Sequence, residues 1–368
     1  MIFCAKKSFL WLWLVPLMCC SLIGLPGAAG KKDFMIGVKI YDYKGDFSAL
    51  VSGWKKLGIN TAFVSADLAA QREFMTLAKK NGIATFIILP VFQNPEKLAV
   101  SPEYHAVTGQ EKRAEEDWVK FVCPSRSDYR TERLQYIKHL LQTCQPDGLS
   151  IDFIRYFVFW EKVYPGAQPN PLDYACFCSY CLQKFQSDAR LTIPQELDTV
   201  SQKAEWILKN QKQAWSAWKC QTITSMVRDI AGEARNIKPD ILLNVHLVPW
   251  RENDFDQGIR SIAGQDVAAI APFVDYLSPM CYAHMVKQDP SWISSVVRDI
   301  ARRGGKRIIP SIQVKEAYLK EKLSSEEFAR YLKEVRKPPS TGVIFWNWPM
   351  LAEDTDKSNL VAALTNDE

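Results

Sequence analysis

The sequence predicts one (β/α)8 barrel with long insertions after strands 3 and 4. Three observations lead to it. Eight short apolar runs occur between residues 31 and 368, and most are followed by a helical pattern. Alternating strand and helix signals indicate a parallel sheet, because parallel neighbours need a crossover connection. No Gly-x-Gly-x-x-Gly follows the first run, which counts against a dinucleotide-binding open sheet. In a closed barrel the chemistry gathers at the C-terminal ends of the strands.

The elements follow in order. Residues 1–30 are read as a signal peptide: Lys6 and Lys7 precede an apolar stretch over 9–23, and Gly27-Ala28-Ala29-Gly30 supplies small residues for cleavage. Cleavage after Gly30 is the favoured expectation; lipidation at Cys19 or Cys20 and an uncleaved anchor are the alternatives. The barrel domain then covers 31–368. No later stretch is a long uncharged apolar run, so the mature chain is expected to be exported, periplasmic or extracellular, with no membrane contact beyond the signal segment.

Strands are expected at 34–43, 59–66, 83–91, 148–156, 241–248, 274–282, 307–314 and 342–348. The helices fall at 47–57, 69–81, 131–143, 202–236, 292–303, 324–335 and 358–365. Gly82 is placed as a C-cap glycine, and Ser324 with Glu327 as a capping box. The polar segments 93–130 and 157–200 are the insertions, on the rim where loops build sites. Trp206, Trp215 and Trp218 are read as packing residues. Hydrophobic residues make up 47% of the chain, enough for a large core. Of 46 Lys and Arg, two lie in the signal segment; the remaining 44 against 41 Asp and Glu leave +3. That balance, with no basic block, excludes a nucleic-acid partner.

The strand over 148–156 organises the rest. It opens on the turn Gln145-Pro146-Asp147-Gly148. Leu149, Ile151 and Phe153 alternate with Ser150, Asp152 and Ile154. A strand buried on both faces should be apolar throughout, so Asp152 is either paired structurally or used chemically. Other strand ends add Asp42, Tyr156, His246, Trp250, Tyr282, Gln313 and Trp346, a mouth of carboxylates, amides and aromatic rings. That combination suits a carbohydrate substrate: rings stack on sugar faces while carboxylates and amides bind hydroxyls. Glycoside hydrolysis needs one ionised and one protonated carboxyl across the scissile bond. Asp152 is assigned the ionised role, with Arg155 beside it to hold its pKa low. The acid should be a drier carboxyl; Glu252 and Glu316 are the candidates, with Asp254 third.

The strings Asp147-Gly-Leu-Ser-Ile-Asp-Phe-Ile-Arg-Tyr156, Leu277-Ser-Pro-Met-Cys-Tyr282 and Gly342-Val-Ile-Phe-Trp-Asn-Trp348 resemble the strand four, six and eight signatures of the glycoside-hydrolase-like TIM barrels of bacteria. The resemblance covers most of the mature chain and implies that Asp152 is a catalytic carboxylate. The fourth strand is also similar to the Asp-Gly-x-Asp-x-Asp-x-Glu strand of family 18 chitinases. Here Ile154 stands where that family has its acid and Ser150 where it has an Asp, which argues against chitinase chemistry. The Asn-Glu pair of family 42 β-galactosidases is absent too.

Of ten cysteines, seven follow the signal segment, three of them in Cys176-Phe-Cys178-Ser-Tyr-Cys181. Four thiolates make a closed tetrahedral zinc site, and Cys123, in the neighbouring insertion, is the best fourth ligand. The run Cys176-Phe-Cys178-Ser-Tyr-Cys181-Leu-Gln-Lys-Phe185 resembles the structural zinc loop of family 42 β-galactosidases, which implies a Cys4 zinc staple and no catalytic metal. Disulfides are the alternative, which an exported chain allows. Two functions compete: an exported glycoside hydrolase, and a non-catalytic carbohydrate-binding barrel that keeps the aromatics and lacks the acid. Only four His occur, with no His-x-His at the first strand end, so a metal-dependent hydrolase centre is not expected.

Overall fold

A computed structural model describes residues 34–166 and 170–364; the expected signal segment and residue 365 of the last expected helix lie outside them. The eight apolar runs become strands β1 (Met35–Ile40), β2 (Thr61–Val64), β3 (Ala84–Pro90), β4 (Gly148–Asp152), β5 (Leu242–Leu247), β6 (Tyr276–Pro279), β7 (Arg307–Ile308 and Ser311–Gln313) and β8 (Gly342–Trp346). Pro310 divides β7, since it has no N–H to give the ladder. The chain stays in register across it: Ile309 N–H donates to Leu277 O at 3.0 Å and Ile344 N–H to Pro310 O at 2.9 Å. The first segment of β7 pairs with β6 and the second with β8, which pairs with β1, so parallel pairing runs around a closed ring.

Helices pack outside: α1 (Phe47–Lys56), α2 (Arg72–Lys80), α3 (Ser127–Cys144), α4 (Ser179–Ala189), α5 (Val200–Asn210), α6 (Lys212–Ile237), α7 (Ser291–Gly304), α8 (Ser325–Val335) and α9 (Thr355–Ala363). Gly82 has φ +71°, as a glycine closing α2 requires. Half of the expected capping box forms: Ser324 Oγ accepts the Glu327 N–H at 3.1 Å, while the Glu327 carboxylate accepts from Tyr331 instead. The single helix expected over 202–236 divides at Gln211 into α5 and α6. α4 was not anticipated within the insertion. Trp215 stacks on Phe177 and on Trp218, each at 5.0 Å, so these rings pack as expected.

The inward faces of the strands form layers, because side chains alternate with period two. At the bottom is an apolar plug of Phe63, Phe86, Ile88, Tyr276, Ile309 and Ile344. Phe86 of β3 touches Tyr276 of β6 at 6.2 Å across the interior. The plug requires glycine beside it: a Cβ on Gly148 would lie 2.3 Å from the Phe86 ring. Two residues further along β4 comes Ser150, and two further Asp152. Leu149 and Ile151 face the helices and join the main core.

The segments 91–126 and 153–199 leave the C-terminal ends of β3 and β4 and pair with each other. Phe177 N–H donates to Val107 O at 2.7 Å, and Thr108 bridges Ala175. A small hairpin, Glu115–Glu116 with Val119–Lys120, stands in the first of them.

Candidate active site and metal centre

Asp152 ends β4 and is 5% exposed. Its Oδ2 lies 3.5 Å from Lys39 Nζ, which reaches across from the inward face of β1. Its Oδ1 accepts the N–H of Phe153 at 2.8 Å. Phe153 takes φ +49°, a left-handed conformation that costs about 1–2 kcal/mol for a residue with a side chain and redirects the chain beyond it. Burial alone would raise the Asp152 carboxyl. Interaction with the His246 ring and with Lys39, the Phe153 N–H and the more distant Arg155 outweigh it and hold the carboxyl below its ordinary value. His246 is itself driven down to about 3 by burial and by Lys39. Near neutral pH the imidazole is therefore uncharged, and Lys39 supplies the field.

Beneath Asp152 lies a buried polar ladder. Ser278 Oγ donates to Asn244 Oδ1 at 2.7 Å, Asn244 Nδ2 donates to Ser150 Oγ at 3.0 Å, and Ser150 Oγ pairs with His246 Nε2 at 2.9 Å. Gln265 donates to the carbonyls of Ile154 and His246 and accepts from Val248 N–H, tying the ends of β4 and β5 together. His246 thus supports the mouth from below.

Two aromatic walls stand above. Tyr282 stacks on Trp346 with centroids 4.9 Å apart and planes 18° apart, and packs on Trp160 at 5.7 Å. Its hydroxyl pairs with Ser311 Oγ at 3.2 Å. Tyr41 is partly exposed, and its hydroxyl is raised by burial first and then by the Asp152 charge, partly offset by a hydrogen bond with the Trp346 side chain. On the other side, Trp118 of the hairpin donates its indole N–H to Tyr318 Oη at 3.1 Å. Phe159 meets Tyr318 edge-on at 5.6 Å, and Trp118 meets Phe153 at 5.8 Å. Trp118 is 51% exposed and Tyr318 40%, an open face for a flat apolar surface.

Several sequence candidates land elsewhere. Arg155 is buried and donates through Nη1 to Val158 O at 2.7 Å; the ion-pair partner expected of it beside Asp152 is instead Lys39. Tyr156 turns from the mouth to bond Ser125 Oγ at 3.1 Å. Trp250 is buried against Phe255. Gln313 is spent on the backbone, accepting from Met285 N–H and donating to Lys315 O. Asp42 is exposed. Glu252 lies 2.7 Å from Arg302 of α7 with 43% of its side chain exposed. Glu316 accepts from Leu323 N–H, is held below its ordinary value chiefly by its own backbone N–H, and lines a separate cavity of about 430 Å³ with Lys322 and Asp354. Asp254 clamps Arg251 at 3.0 Å. None of the three has the dry setting an acid needs.

The carboxyl that has it is Glu161, which the sequence reading missed. It sits in the turn Trp160–Lys162, is 9% exposed, and its Oε2 has no hydrogen-bond partner among the described residues. Burial drives its carboxyl up to about 7, against Arg155 and its own backbone N–H, with the Asp152 charge adding to the rise. A turn inside an insertion carries no periodicity, so nothing in the sequence marked it.

The cysteines converge. The sulfurs of Cys123, Cys176, Cys178 and Cys181 all lie within 4.8 Å of one another, and all four are free thiols. Cys123 is 3.3 Å from Cys181 and 3.5 Å from Cys178. A tetrahedron with metal–sulfur bonds of about 2.3 Å has sulfurs about 3.8 Å apart, so four thiolates here could hold a metal ion. Cys178 caps α4, where its sulfur accepts the Cys181 N–H, and Val107 N–H points at Cys176, each at 3.5 Å. Hydrogen bonds from the neighbouring cysteines and from the Cys181 N–H hold the Cys178 thiol low, while burial pushes Cys176 up. The set is closed, with no ligand position left for substrate. A larger cavity, about 870 Å³, lies apart from the mouth between α3, α4 and α6, where Arg130 and Lys184 are paired with Asp229 and Asp188.

No family model matches this sequence, and no curated protein does. Solved structures share its fold. The PgaB (BpsB) glycoside hydrolase domain from Bordetella bronchiseptica superposes with a TM-score of 0.67 at 14% identity, over 89% of this chain and 98% of that one. The polyextremophilic β-galactosidase from the Antarctic haloarchaeon Halorubrum lacusprofundi gives 0.66 at 10% identity, over 90% and 58%. A family 42 β-galactosidase from G. stearothermophilus gives 0.60 at 12% identity, over 91% and 57%. The chain thus spans somewhat more than half the length of these β-galactosidases. At such identities the likeness is one of fold alone: the chain has the same barrel architecture as these solved structures.

Proposed function

We propose that this chain is an exported glycoside hydrolase that cleaves glycosidic bonds of an oligo- or polysaccharide, with Asp152 as the ionised carboxylate at the reacting carbon. One observation carries the reading: a buried carboxylate, held ionised by Lys39 and the Phe153 N–H, stands at the C-terminal end of β4 between two aromatic walls. An oxocarbenium-like transition state needs a fixed negative charge of this kind. The Trp118–Tyr318 and Tyr282–Trp346 walls bind sugar faces and exclude water from the bond. The four cysteines are read as a structural zinc site that staples the two insertions, and export rests on residues 1–30.

The test is a screen of the purified mature protein on bacterial exopolysaccharides and plant glycans, with Asp152→Asn beside it. Turnover that falls on the order of a thousandfold in the variant, with retained circular dichroism, supports the reading. Glycan binding without turnover by the wild type would replace it with the carbohydrate-binding barrel, a role consistent with Glu252 and Glu316 standing away from the mouth. Normal turnover by Asp152→Asn would move the chemistry elsewhere on the rim.

A further inference from the structure

Among the described residues, Glu161 is a buried carboxyl whose Oε2 no hydrogen-bond donor holds, and it feels the charge of Asp152. Its neighbour Trp160 packs on Tyr282, fixing the turn against the aromatic wall. The groups that face it come from several elements. Arg155 and Asp152 stand at and just beyond the end of β4, and Arg155 feels Glu161 more strongly than Asp152. Tyr282 follows β6 and Tyr318 follows β7, and both feel the Glu161 charge. Lys162, next in the chain, turns outward to Glu116 at 2.7 Å. Arg155 is thus the facing cation, and it is engaged with the Val158 carbonyl. A carboxyl enclosed this way, with a carboxylate close by, holds its proton.

We propose that Glu161 is the proton donor of the hydrolysis, and that Arg155 is the positioning residue that receives the carboxylate left behind. This rests on the glycosidase reading above. In the step, Glu161 gives its proton to the glycosidic oxygen as the bond from that oxygen to the anomeric carbon breaks. The bonding pair goes to the oxygen, which leaves as the alcohol. Asp152 faces the positive charge that develops on carbon. Water then adds there, and its proton restores the Glu161 acid. Arg155 stabilises the ionised form, so the carboxyl can release a proton that burial otherwise keeps. Burial sets this titration at about 7, so turnover falls as pH rises through that value and the proton is lost.

The experiment compares wild type, Glu161→Gln, Glu161→Asp and Asp152→Asn on an unactivated glycan identified by the screen and on nitrophenyl glycosides of the same sugar. Glu161→Gln should lose on the order of 10²–10⁴-fold in kcat on the unactivated glycan. It should lose little on nitrophenyl glycosides, whose leaving group needs no proton, and the basic limb of the pH profile should vanish. Glu161→Asp should keep the basic limb with reduced kcat, which preserves the test where the Gln variant does not fold. Near-normal turnover with an unchanged basic limb in Glu161→Gln, or unaltered kcat in Glu161→Asp, overturns the assignment. If Asp152→Asn is dead while Glu161→Gln is normal, only the proton donor is wrong; a wild type inactive on every glycan removes the hydrolase reading and the donor with it.

Discussion

Lys39 Nζ stands 3.5 Å from Asp152 Oδ2, with side-chain exposures of 2% and 8%, at the top of strands that face each other inside the barrel. Each charge is tolerable there because the other is present. Burial lowers Lys39 while Asp152 opposes the shift, and Lys39 helps to hold Asp152 below its ordinary value. On the glycosidase reading the pair supplies the field at the reacting carbon, and it is a stability element as well.

Asp152→Asn should therefore destabilise the fold as well as stop turnover, because it leaves a buried ammonium uncompensated. Breaking one side of such a pair costs about 3–5 kcal/mol. Lys39→Met with Asp152→Asn should recover most of that loss while remaining inactive. Urea unfolding of the three proteins checks this, and a double variant no more stable than Asp152→Asn would refute it. The pH dependence has a definite sign. A depressed carboxyl contributes stability that is present above its unfolded value of about 3.9 and is lost as pH falls through its lower folded value.

The cysteine centre should carry one zinc per chain, measured by elemental analysis of protein purified without added metal. Chelation should lower the melting temperature by roughly 5 °C, the shift that a few kcal/mol gives in a chain of this size. It should also open the insertions to proteolysis, since Cys123 lies in one and the other three in the second. Mapped disulfides at Cys176 or Cys178 with no bound zinc would contradict this.

Trp118→Ala should weaken substrate capture and leave the chemistry alone. The ring is half exposed and donates to Tyr318 across the mouth. An aromatic contact of about 1 kcal/mol corresponds to a rise in KM of roughly fivefold, with kcat and melting temperature close to wild type. Steady-state kinetics on a cleaved glycan decides it; a fall in kcat at constant KM would place Trp118 outside the binding face.

The eight strands, their order and the place of Asp152 at the end of the fourth were legible in the sequence. Apolar runs broken by turns mark strands, and period-two alternation put Ser150 and Asp152 on one face of β4. The cysteines were legible because Cys-x-Cys-x-x-Cys places three ligands locally, and only one had to come from another loop. What the tertiary structure decided are the partners. Lys39 reads in sequence as a polar break in the first strand; ring closure points it at Asp152. Arg155, adjacent in sequence, turns instead to the Val158 carbonyl, because the left-handed Phe153 redirects the chain. Trp118 and Tyr318 are 200 residues apart and meet only because the insertion after β3 and the loop after β7 rise from the same rim. Glu161 lies in a turn with no period to read, and its character comes from the groups packed around it. Local sequence fixes backbone preference and facing; the charge state of a buried group depends on which distant side chains the closed barrel brings against it, and that is settled only in three dimensions.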